Sequence, residues 1–506
     1  MSSPDSAAEP RRRLSVPRIL LVVVVVAAAV TAPFAFRTVK DRLDAGAPQA
    51  SSFAPYVDVT NTPQFTFEDP SANAAGNVVL GFVVSSTDVV CQPSWGTAYS
   101  LATASTGIDL DRRIARLRQR GGDVTASFGG AANKELASAC TDQAKLTAAY
   151  RSVVDRYNLT SVDFDLEDGG ETSAVMSRRA MAVRTVQQKQ NAAGKSLDVW
   201  LTLPVGTDGL TSVGVAELDA MLAAGVEVAG VNALTMNYGS SGTGKTMRSL
   251  VESSLTSLAG QVVTAYGRAG TPLSASEGWQ RIAATPMIGQ NDTADERFQL
   301  SDASALIAFA RAKGLRRLSM WSANRDNNCG VNYVDTTLVS NSCSGLDQAE
   351  GAFSALFNEF TAVAPSAGPA TAASVAAQPT DDPSTAPYPI WNALTAYAKN
   401  SKVVWHHNVY LAKWWTQGDT PDAPVADAAQ TPWTLIGPVL AGETPLATAS
   451  STVTATAYAT WNPTATYVSG DRVQYHGVIY QAKWWTLGDV PGAQVSDPSD
   501  TPWQTL

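Results

Sequence analysis

The stretch Ser161–Glu167, which reads SVDFDLE, is the most informative part of the chain. Side chains alternate across a β-strand, so Asp163, Asp165 and Glu167 share one face and the apolar residues between them share the other. In a barrel of parallel strands the apolar face meets the outer helices, and the last acid lies at the C-terminal mouth, where barrel active sites are found. When closely spaced carboxylates all ionise, their negative charges repel one another, so at least one keeps a proton and can act as a general acid. A calcium site or a solvated edge strand is the alternative.

Short apolar runs alternate with longer helical patterns between residues 57 and 362. About 305 residues of βα alternation predict an α/β fold, a TIM (β/α)8 barrel. One more strand, weakly marked in the sequence, is needed between the first two predicted strands, Val78–Val84 and Asp123–Phe128. The predicted strands are Val78–Val84, Asp123–Phe128, Ser161–Glu167, Leu197–Leu203, Gly230–Met236, Ile282–Ile288 and Arg317–Trp321.

Composition excludes several kinds of function. The net charge of −9 argues against a nucleic-acid partner, because no basic surface is available to neutralise phosphates. All three histidines lie at or beyond residue 406, so the region before them cannot use a Ser-His pair, a Cys-His pair or a His-ligated metal. We therefore expect no metal and no cofactor, and carboxylates remain as the acid–base groups.

A repeat with an offset of 70 residues occupies the C-terminal region: AKWWT at 412–416 returns at 482–486. Each copy has about 45 residues and predicts a small all-β module, with strands at Asp471–Tyr475 and Val478–Ala482 joined by a turn at His476-Gly477. Stretches rich in Ala, Pro, Ser and Thr precede and separate the copies and are typical of linkers.

Four arginines precede an apolar run at residues 19–36, which favours export. We expect an uncleaved anchor with a cytoplasmic N-terminus, and a cleavable signal peptide is the open alternative. Four cysteines without CxxC spacing then predict two disulfides, Cys329–Cys343 and Cys91–Cys140, against the alternative of four buried thiols.

The strand with the three acids resembles the signature Asp-x-x-Asp-x-Asp-x-Glu of family 18 glycoside hydrolases, the chitinase family, with Thr160 in place of the first acid. Four further segments resemble family motifs at the ends of strands three, six, seven and eight, and the likeness extends over about 300 residues. The matching residues are Ser127, Gly129 and Gly130; Met236, Asn237 (in place of an acid) and Tyr238; Met287, within 285–292; and Trp321, within 320–326.

The resemblance implies a chitinase with a substrate-assisted retaining mechanism. Glu167 would protonate the glycosidic oxygen, and the substrate's own acetamido group would attack the anomeric carbon. Asp165 would stabilise the resulting charge, with Asp163 holding or sharing a proton. Tyr238 would bind the acetamido group, and Trp321 would form the floor under the sugar. Few residues separate Ile288 from Arg317, so we expect no inserted domain between the seventh and eighth strands. The substrate groove should then be open, and cleavage should be of the endo type.

The C-terminal repeats resemble family 5/12 carbohydrate-binding modules, whose hallmark is the AKWWT segment. Flat aromatic rings suit pyranose faces. The resemblance implies chitin binding through Trp414, Trp415, Trp484 and Trp485, with at least one member of each pair exposed.

The sequence thus predicts a monomeric, extracellular or surface-anchored protein whose partners are chitin and chito-oligosaccharides. A chitin-binding or adhesion protein with an inactive barrel and an endo-β-N-acetylglucosaminidase are the rival functions. The predicted segments are a cytoplasmic basic N-terminus (1–18), a transmembrane anchor or signal peptide (19–36), a TIM-barrel catalytic domain (57–362), a linker (363–387), a first module (388–436), a linker (437–457) and a second module (458–506).

Overall fold

The structure is a computed structural model that describes residues 51–333, 335–361, 380–425, 429–446, 458–475, 478–493 and 501–505. The described chain divides into two compact units, one on each side of the break at 362–379. Residues 1–18 and 19–36, most of the linker 363–387, part of the linker 437–457 and the turn at 476–477 lie outside the described residues. Within the part of the chain that the structure describes, no helix has the length and apolar character needed to cross a membrane.

Fourteen strands and ten α-helices are described in the first unit. The strands are β1 (Ser52–Phe53), β2 (Tyr56–Asp58), β3 (Asn77–Ser85), β4 (Pro93–Trp95), β5 (Tyr99–Ser100), β6 (Asp123–Gly129), β7 (Ser161–Asp165), β8 (Asp198–Gly206), β9 (Gly209–Leu210), β10 (Val228–Leu234), β11 (Ile282–Thr285), β12 (Gly289–Gln290), β13 (Arg297–Phe298) and β14 (Arg317–Leu318). The helices are α1 (Leu101–Gly107), α2 (Leu110–Gln119), α3 (Leu136–Ala139), α4 (Gln143–Arg156), α5 (Ser173–Ala192), α6 (Ser212–Ala223), α7 (Met247–Arg268), α8 (Ala275–Gln280), α9 (Leu300–Lys313) and α10 (Ala352–Asn358).

Parallel pairing closes these strands into a barrel. The order runs from β1 through β14, β11, β10, β8, β7 and β6 to β3, and β3 pairs with β2, the continuation of β1. The barrel therefore has eight parallel strands, the first of them split into β1 and β2, and the predicted TIM barrel is confirmed.

The first barrel strand is Ser52–Asp58, and on this point the sequence-based expectation was wrong. The sequence predicts a barrel domain that begins at residue 57, with the missing strand between β3 and β6. The strand is interrupted at Pro55, which has no N–H to donate, so neither half is long enough to show an alternating pattern. Backbone bonds from Tyr56 N–H to Met320 O (3.1 Å) and from Val79 N–H to Pro55 O (2.9 Å) hold it between its neighbours.

The core follows from the alternation in β7. Val162 and Phe164 are buried on the helix side, where Phe164 stacks on Phe128 at 5.1 Å and meets the edge of Tyr150 from α4 at 5.3 Å. β7 lies between β6 and β8, so the alternative of a solvated edge strand is excluded. The acids are consequently directed into the barrel.

The two repeats have the same strand plan, a three-stranded antiparallel sheet beside a two-stranded ladder. The predicted hairpin strands of the second copy are confirmed as Arg472–Tyr475 and Val478–Ala482. In the cores, Tyr397 meets the edge of buried Trp433, and Tyr467 meets the edge of buried Trp503. The strands are β15 (Ala396–Tyr397), β16 (Lys402–Trp405), β17 (Asn408–Ala412), β18 (Thr416–Gln417) and β19 (Trp433–Pro438), then β20 (Thr466–Tyr467), β21 (Arg472–Tyr475), β22 (Val478–Ala482), β23 (Thr486–Leu487) and β24 (Trp503–Thr505).

Candidate active site

Asp163 lies inside the barrel and is held by three hydroxyl groups. Ser127 and Tyr56 donate to its Oδ2, each at 2.7 Å, and Thr202 donates to Oδ1 at 2.6 Å. Burial raises the pKa of Asp163, while the charge of Arg317 and these hydroxyl donors act in the opposite direction. Asp163 is thus a fully buried acid whose two oxygens are both occupied by neighbours.

Polar side chains beyond Asp163 extend this network across the barrel. Asn232 donates to Thr202 Oγ1 at 3.0 Å and to Thr285 Oγ1 at 2.7 Å, and Arg317 is buried close enough to Asp163 to interact with its charge. Sequence reasoning missed these residues. The available signal was a polar residue at an inward position of an otherwise apolar strand, such as Thr202 between Leu201 and Leu203.

Asp165 is buried but, unlike Asp163, is not surrounded by donors. Its Oδ1 atom has no hydrogen-bond partner among the described residues. Burial raises the pKa of Asp165 well above its ordinary value, and the charges of Glu167 and Asp163 raise it further. A buried carboxyl oxygen without a partner is costly unless the group is protonated or a ligand supplies a donor.

Glu167 lies just beyond the end of β7, at the mouth of the barrel, and is half-buried. Burial raises its pKa, and the negative charge of Asp292, in the segment after β11, raises it further. Glu167 therefore keeps its proton to a higher pH than an exposed glutamate would, which is what a general acid requires.

The two glycines at the end of β6 allow the backbone to approach the acid strand. A Cβ on Gly129 would lie 2.1 Å from the carbonyl oxygen of Asp165, and Gly129 has a φ of 106°. A Cβ on Gly130 would lie 2.8 Å from the ring of Phe82, and the N–H of Gly130 donates to Asp165 O at 2.9 Å. Neither position has room for a side chain, because one packs against the acid strand and the other against an aromatic ring.

An aromatic cluster lies beside the acids. Trp321 is half-buried and stacks on Phe82 with 5.4 Å between ring centroids, and Tyr56 lies 6.0 Å from both rings. Met287 is buried and forms an isolated parallel β-bridge with Trp321. Phe82 and Tyr56 were not found from the sequence, since they belong to strands one and two, where no motif was recognised.

Tyr238 is not brought to the acids. Its hydroxyl is hydrogen-bonded to Ser254 of α7 at 2.9 Å, and its ring belongs to the core outside the barrel. The role predicted for Tyr238, binding of the acetamido group, therefore has no support in this geometry. A motif in the sequence specifies the position of a residue after its strand but not the direction of its side chain.

Asn237 pairs with Asp292 and so joins the segments after β10 and β11. Its side-chain amide donates to Asp292 Oδ2 at 2.8 Å, and its Oδ1 accepts the N–H of Asp292 at 2.9 Å. Asn237 has a φ of 54°, a backbone conformation that asparagine tolerates well. The charge acting on Glu167 thus comes from Asp292, which Asn237 holds in place. Met236, beside it, is half-buried.

Thr160 lies at the opposite end of the acid strand from Glu167. Its hydroxyl is exposed and donates to Asp123 Oδ2 at 3.0 Å, at the start of β6. None of the donors to Asp163 depends on this residue. The departure from the family signature at Thr160 is therefore remote from the bonds that hold the inner acid.

Both predicted disulfides are present. Cys91, after β3, is bonded to Cys140, at the end of α3, and Cys329 is bonded to Cys343 in the segment after β14. The alternative of four free thiols was therefore wrong. Both bonds tie segments that follow the C-terminal ends of barrel strands, the same ends that carry the acids.

The Trp pairs of the repeats are exposed. Trp414 and Trp415 are 44% and 60% exposed, and Trp484 and Trp485 have the same two values. A lysine side chain lies over one of each pair, with Lys413 Nζ 5.2 Å from the Trp414 ring and Lys483 Nζ 4.6 Å from the Trp484 ring. Each copy therefore presents two indole rings to solvent from equivalent positions.

The described barrel is closed, and its fourth strand carries the buried Asp163 and Asp165 and leads to Glu167 at the mouth, which defines a (β/α)8-barrel protein with a carboxylate site. Comparison with known proteins agrees. Residues 460–504 match carbohydrate-binding module family 5/12, and the first copy has the same repeat and the same strand plan.

The chain is similar to proteins that are named as chitinases. The chain is 36% identical over 332 residues to the probable bifunctional chitinase/lysozyme of Escherichia coli (strain K12), covering 61% of this chain and 34% of the relative. It is 36% identical over 295 residues to Endochitinase 11 of Metarhizium anisopliae, covering 54% of this chain and 52% of the relative. The chain thus spans about a third and about half of these two proteins.

Solved structures resemble the barrel as well. The catalytic domain of the hyperthermophilic chitinase from Pyrococcus furiosus superposes with a TM-score of 0.52 at 28% identity, covering 62% of this chain and 97% of that one. Active domain 2 of a chitinase from the same organism gives a TM-score of 0.53 at 27% identity, with the same coverage. The resemblance to family 18 chitinases with a C-terminal family 5/12 module is confirmed.

Proposed function

We propose that this chain is a chitinase that hydrolyses β-1,4-linked N-acetylglucosamine polymers with retention of anomeric configuration. The observation that carries the proposal is the gradient of carboxyl environments along one strand. Asp163 is fully hydrogen-bonded, Asp165 is buried with one oxygen unpartnered, and Glu167 is half-buried at the mouth with a raised pKa. The similarity to proteins named as chitinases supports the choice of substrate.

Glu167 donates its proton to the glycosidic oxygen as the bond to the anomeric carbon breaks. The carbonyl oxygen of the substrate's acetamido group attacks that carbon from the opposite face and forms an oxazolinium ion. Water then attacks the same carbon and displaces the acetamido oxygen, while ionised Glu167 accepts a proton from that water, which restores the acid.

Asp165 supplies the charge opposite the oxazolinium ion. Its unpartnered Oδ1 atom is available to the acetamido N–H. Burial and the neighbouring acids raise the pKa of Asp165. Positive charge that develops beside it lowers that pKa, so the proton is released as the oxazolinium ion forms. Asp163 can take up that proton, because it shares the buried site and its own pKa is also raised. Trp321, stacked on Phe82, supports the sugar ring.

Cleavage is expected to be of the endo type. Residues 286–316 contain only the β12–β13 hairpin, α9 and short connections, so no inserted domain stands beside the groove. The similarity to a protein named an endochitinase agrees with this proposal. Early products should then be mixed oligomers rather than a single disaccharide.

Two alternatives remain as outcomes of the test. An adhesion protein with an inactive barrel would bind chitin without releasing reducing ends, and an endo-β-N-acetylglucosaminidase would prefer glycoprotein glycans. The experiment is a reducing-sugar assay on colloidal chitin, with proton NMR of the first anomer released from a soluble oligosaccharide. Absence of reducing ends, or an inverted first product, would refute the proposal.

We further propose that the protein works outside the cytoplasm as a monomer, with the apolar segment 19–36 contacting the membrane. The two disulfides support this location, since such bonds persist mainly in oxidising compartments. Cell fractionation, followed by carbonate extraction of the membranes, tests it. Recovery of the protein from the cytoplasm would contradict the proposal.

A further inference from the structure

Four buried ionisable side chains form a cluster outside the barrel. Arg179 of α5 is completely buried and bonds to three carboxylates. Its NH1 atom donates to Glu171 Oε2 at 2.7 Å and to Glu217 Oε1 at 2.8 Å, and its NH2 atom donates to Glu135 Oε2 at 2.9 Å and to Glu171 Oε1. Tyr150 adds a bond to Glu135. The reaction proposed above uses none of these groups.

The cluster joins three segments that follow successive barrel strands. Glu135 follows β6, and its Cγ atom lies 3.6 Å from the place where a Cβ on Gly129 would be. Glu171 follows β7, four residues after Glu167 and directly before Thr172, the N-cap of α5. Glu217 belongs to α6, after β8. Arg179 therefore links the segment that follows the acid strand β7 to the segments that follow its two neighbours, β6 and β8.

The segment that carries Glu167 is anchored at its two ends. At the start, the N–H of Leu166 donates to Thr202 O at 2.9 Å. In the middle, residues 168–170 are exposed. At the far end, Glu171 accepts the paired bonds from Arg179 and a third from Ser138 Oγ at 2.6 Å. Because Glu167 lies between these anchors, its position depends on both.

We propose that Glu171 and Arg179 are positioning residues that hold the proton donor Glu167 in its half-buried place at the barrel mouth. The inference rests on the proposed function and deepens it. A planar guanidinium that binds one carboxylate through two parallel bonds fixes distance and direction together, which a single bond does not. Burial strengthens the arrangement because water cannot compete for the bonds.

The charge balance of the cluster agrees with this role. Burial tends to raise the pKa of Glu171, but the bonds and charge of Arg179 outweigh it and lower that pKa to about 2. Burial raises the pKa of Glu217 to about 8, against the charge of Arg179 and with a contribution from Glu171. At neutral pH, Glu171 is therefore the ionised partner of Arg179, while Glu217 keeps a proton.

The test replaces Glu171→Gln and compares it with Glu68→Gln. The control removes the same kind of charge from a matched buried pair, Arg113 with Glu68 at 2.9 Å, between α2 and the segment that precedes β3. In Glu171→Gln, the loosened segment should let water reach Glu167, so that its pKa falls and the alkaline limb of the kcat profile moves to lower pH. We expect kcat to fall roughly 10- to 100-fold, as for a misplaced catalytic group, and KM for soluble oligosaccharides to change little.

A second readout does not depend on turnover. Carbon-13 NMR of labelled glutamate carboxyls, with Glu167 assigned by its disappearance in Glu167→Gln, gives its pKa directly. A lower pKa of Glu167 in Glu171→Gln but not in Glu68→Gln supports the inference. An unchanged pKa, or equal effects of both variants, overturns it. If wild type shows this titration but does not hydrolyse chitin, the proposed function fails instead.

A milder variant covers the case in which Glu171→Gln does not fold. Ser138→Ala removes one of the three bonds to Glu171 and leaves Arg179 in place. It should move the pKa of Glu167 in the same direction by a smaller amount. No movement in a folded Ser138→Ala protein would count against the inference.

Discussion

The barrel mouth and the two C-terminal modules both contain tryptophan side chains, but these differ in their exposure to solvent. Trp321 is half-buried, stacks on Phe82 and lies near Tyr56, beside the buried acids Asp163 and Asp165. In the modules the Trp pairs stand out into solvent, and the buried core is built from a different residue, Trp433 or Trp503.

The difference shows what each surface is built to do. Burial raises the pKa values of Asp163, Asp165 and Glu167, and a raised pKa suits the proposed role of Glu167 as a general acid at neutral pH. A binding surface needs no proton transfer. It needs flat apolar rings already in position, so that little side-chain conformational entropy is lost when a polymer binds.

Replacing Glu167, the proposed proton donor, should have the largest effect and should separate the two regions completely. Glu167→Gln keeps the shape of the side chain but cannot donate a proton, and general acid catalysis typically contributes about 10²–10⁴-fold. We expect hydrolysis of a soluble oligosaccharide to fall by that factor. Binding to insoluble chitin, measured by depletion from solution, should equal that of wild type.

Asp165→Asn is a companion variant, and it should also be severe because it removes the charge opposite the oxazolinium ion. Asp163→Asn should be milder, since Asp163 lies further from the sugar and is bonded to protein hydroxyls. A Glu167→Gln protein that retains a tenth of wild-type turnover would rule out Glu167 as the acid.

Removing the exposed rings should produce the reverse result. The double variant Trp415→Ala with Trp485→Ala should weaken chitin binding by roughly 10- to 100-fold, as for aromatic residues that dominate an interface. Soluble hydrolysis should stay at the wild-type level. The matched control is Trp414→Ala with Trp484→Ala, whose rings are less exposed and carry a lysine nearby, and its loss should be smaller. Equal losses of chitin binding would show that the exposure of a ring does not determine how much it contributes to binding.

Changing the charge beside Glu167 should have the smallest effect and leave the rate at optimum nearly intact. Asp292 raises the pKa of Glu167, so Asp292→Asn should lower it and move the alkaline limb of activity to lower pH. The sign follows because a neighbouring negative charge favours the protonated acid. Asp295→Asn on the same hairpin is the control, and its pH profile of kcat should match wild type. A shift to higher pH in Asp292→Asn would contradict the assignment.

Much of this arrangement could be predicted from local pattern. The alternation in the segment Ser161–Glu167 predicted two acids inside a barrel and a third at its mouth, and the repeated Trp pairs indicated exposed rings. What could not be predicted depends on pairing between distant segments. Tyr56 donates to Asp163 from a strand broken at Pro55, and that strand is recognisable only by its pairing with β3 and β14. The turn of Tyr238 toward Ser254 likewise reflects packing against α7, which no motif records.

The two disulfides have a practical consequence for anyone who produces this protein. The Cys329–Cys343 bond closes a loop with a sequence separation of 14, a size for which loop closure contributes roughly 3 kcal/mol in the chain-entropy treatment. A bacterial cytoplasm keeps such thiols reduced, so the segments that follow the C-terminal ends of the barrel strands would lack both covalent links. Secretion into the periplasm, or an oxidising strain, is therefore the appropriate expression route. A thiol titration of each preparation should come before any comparison of rates.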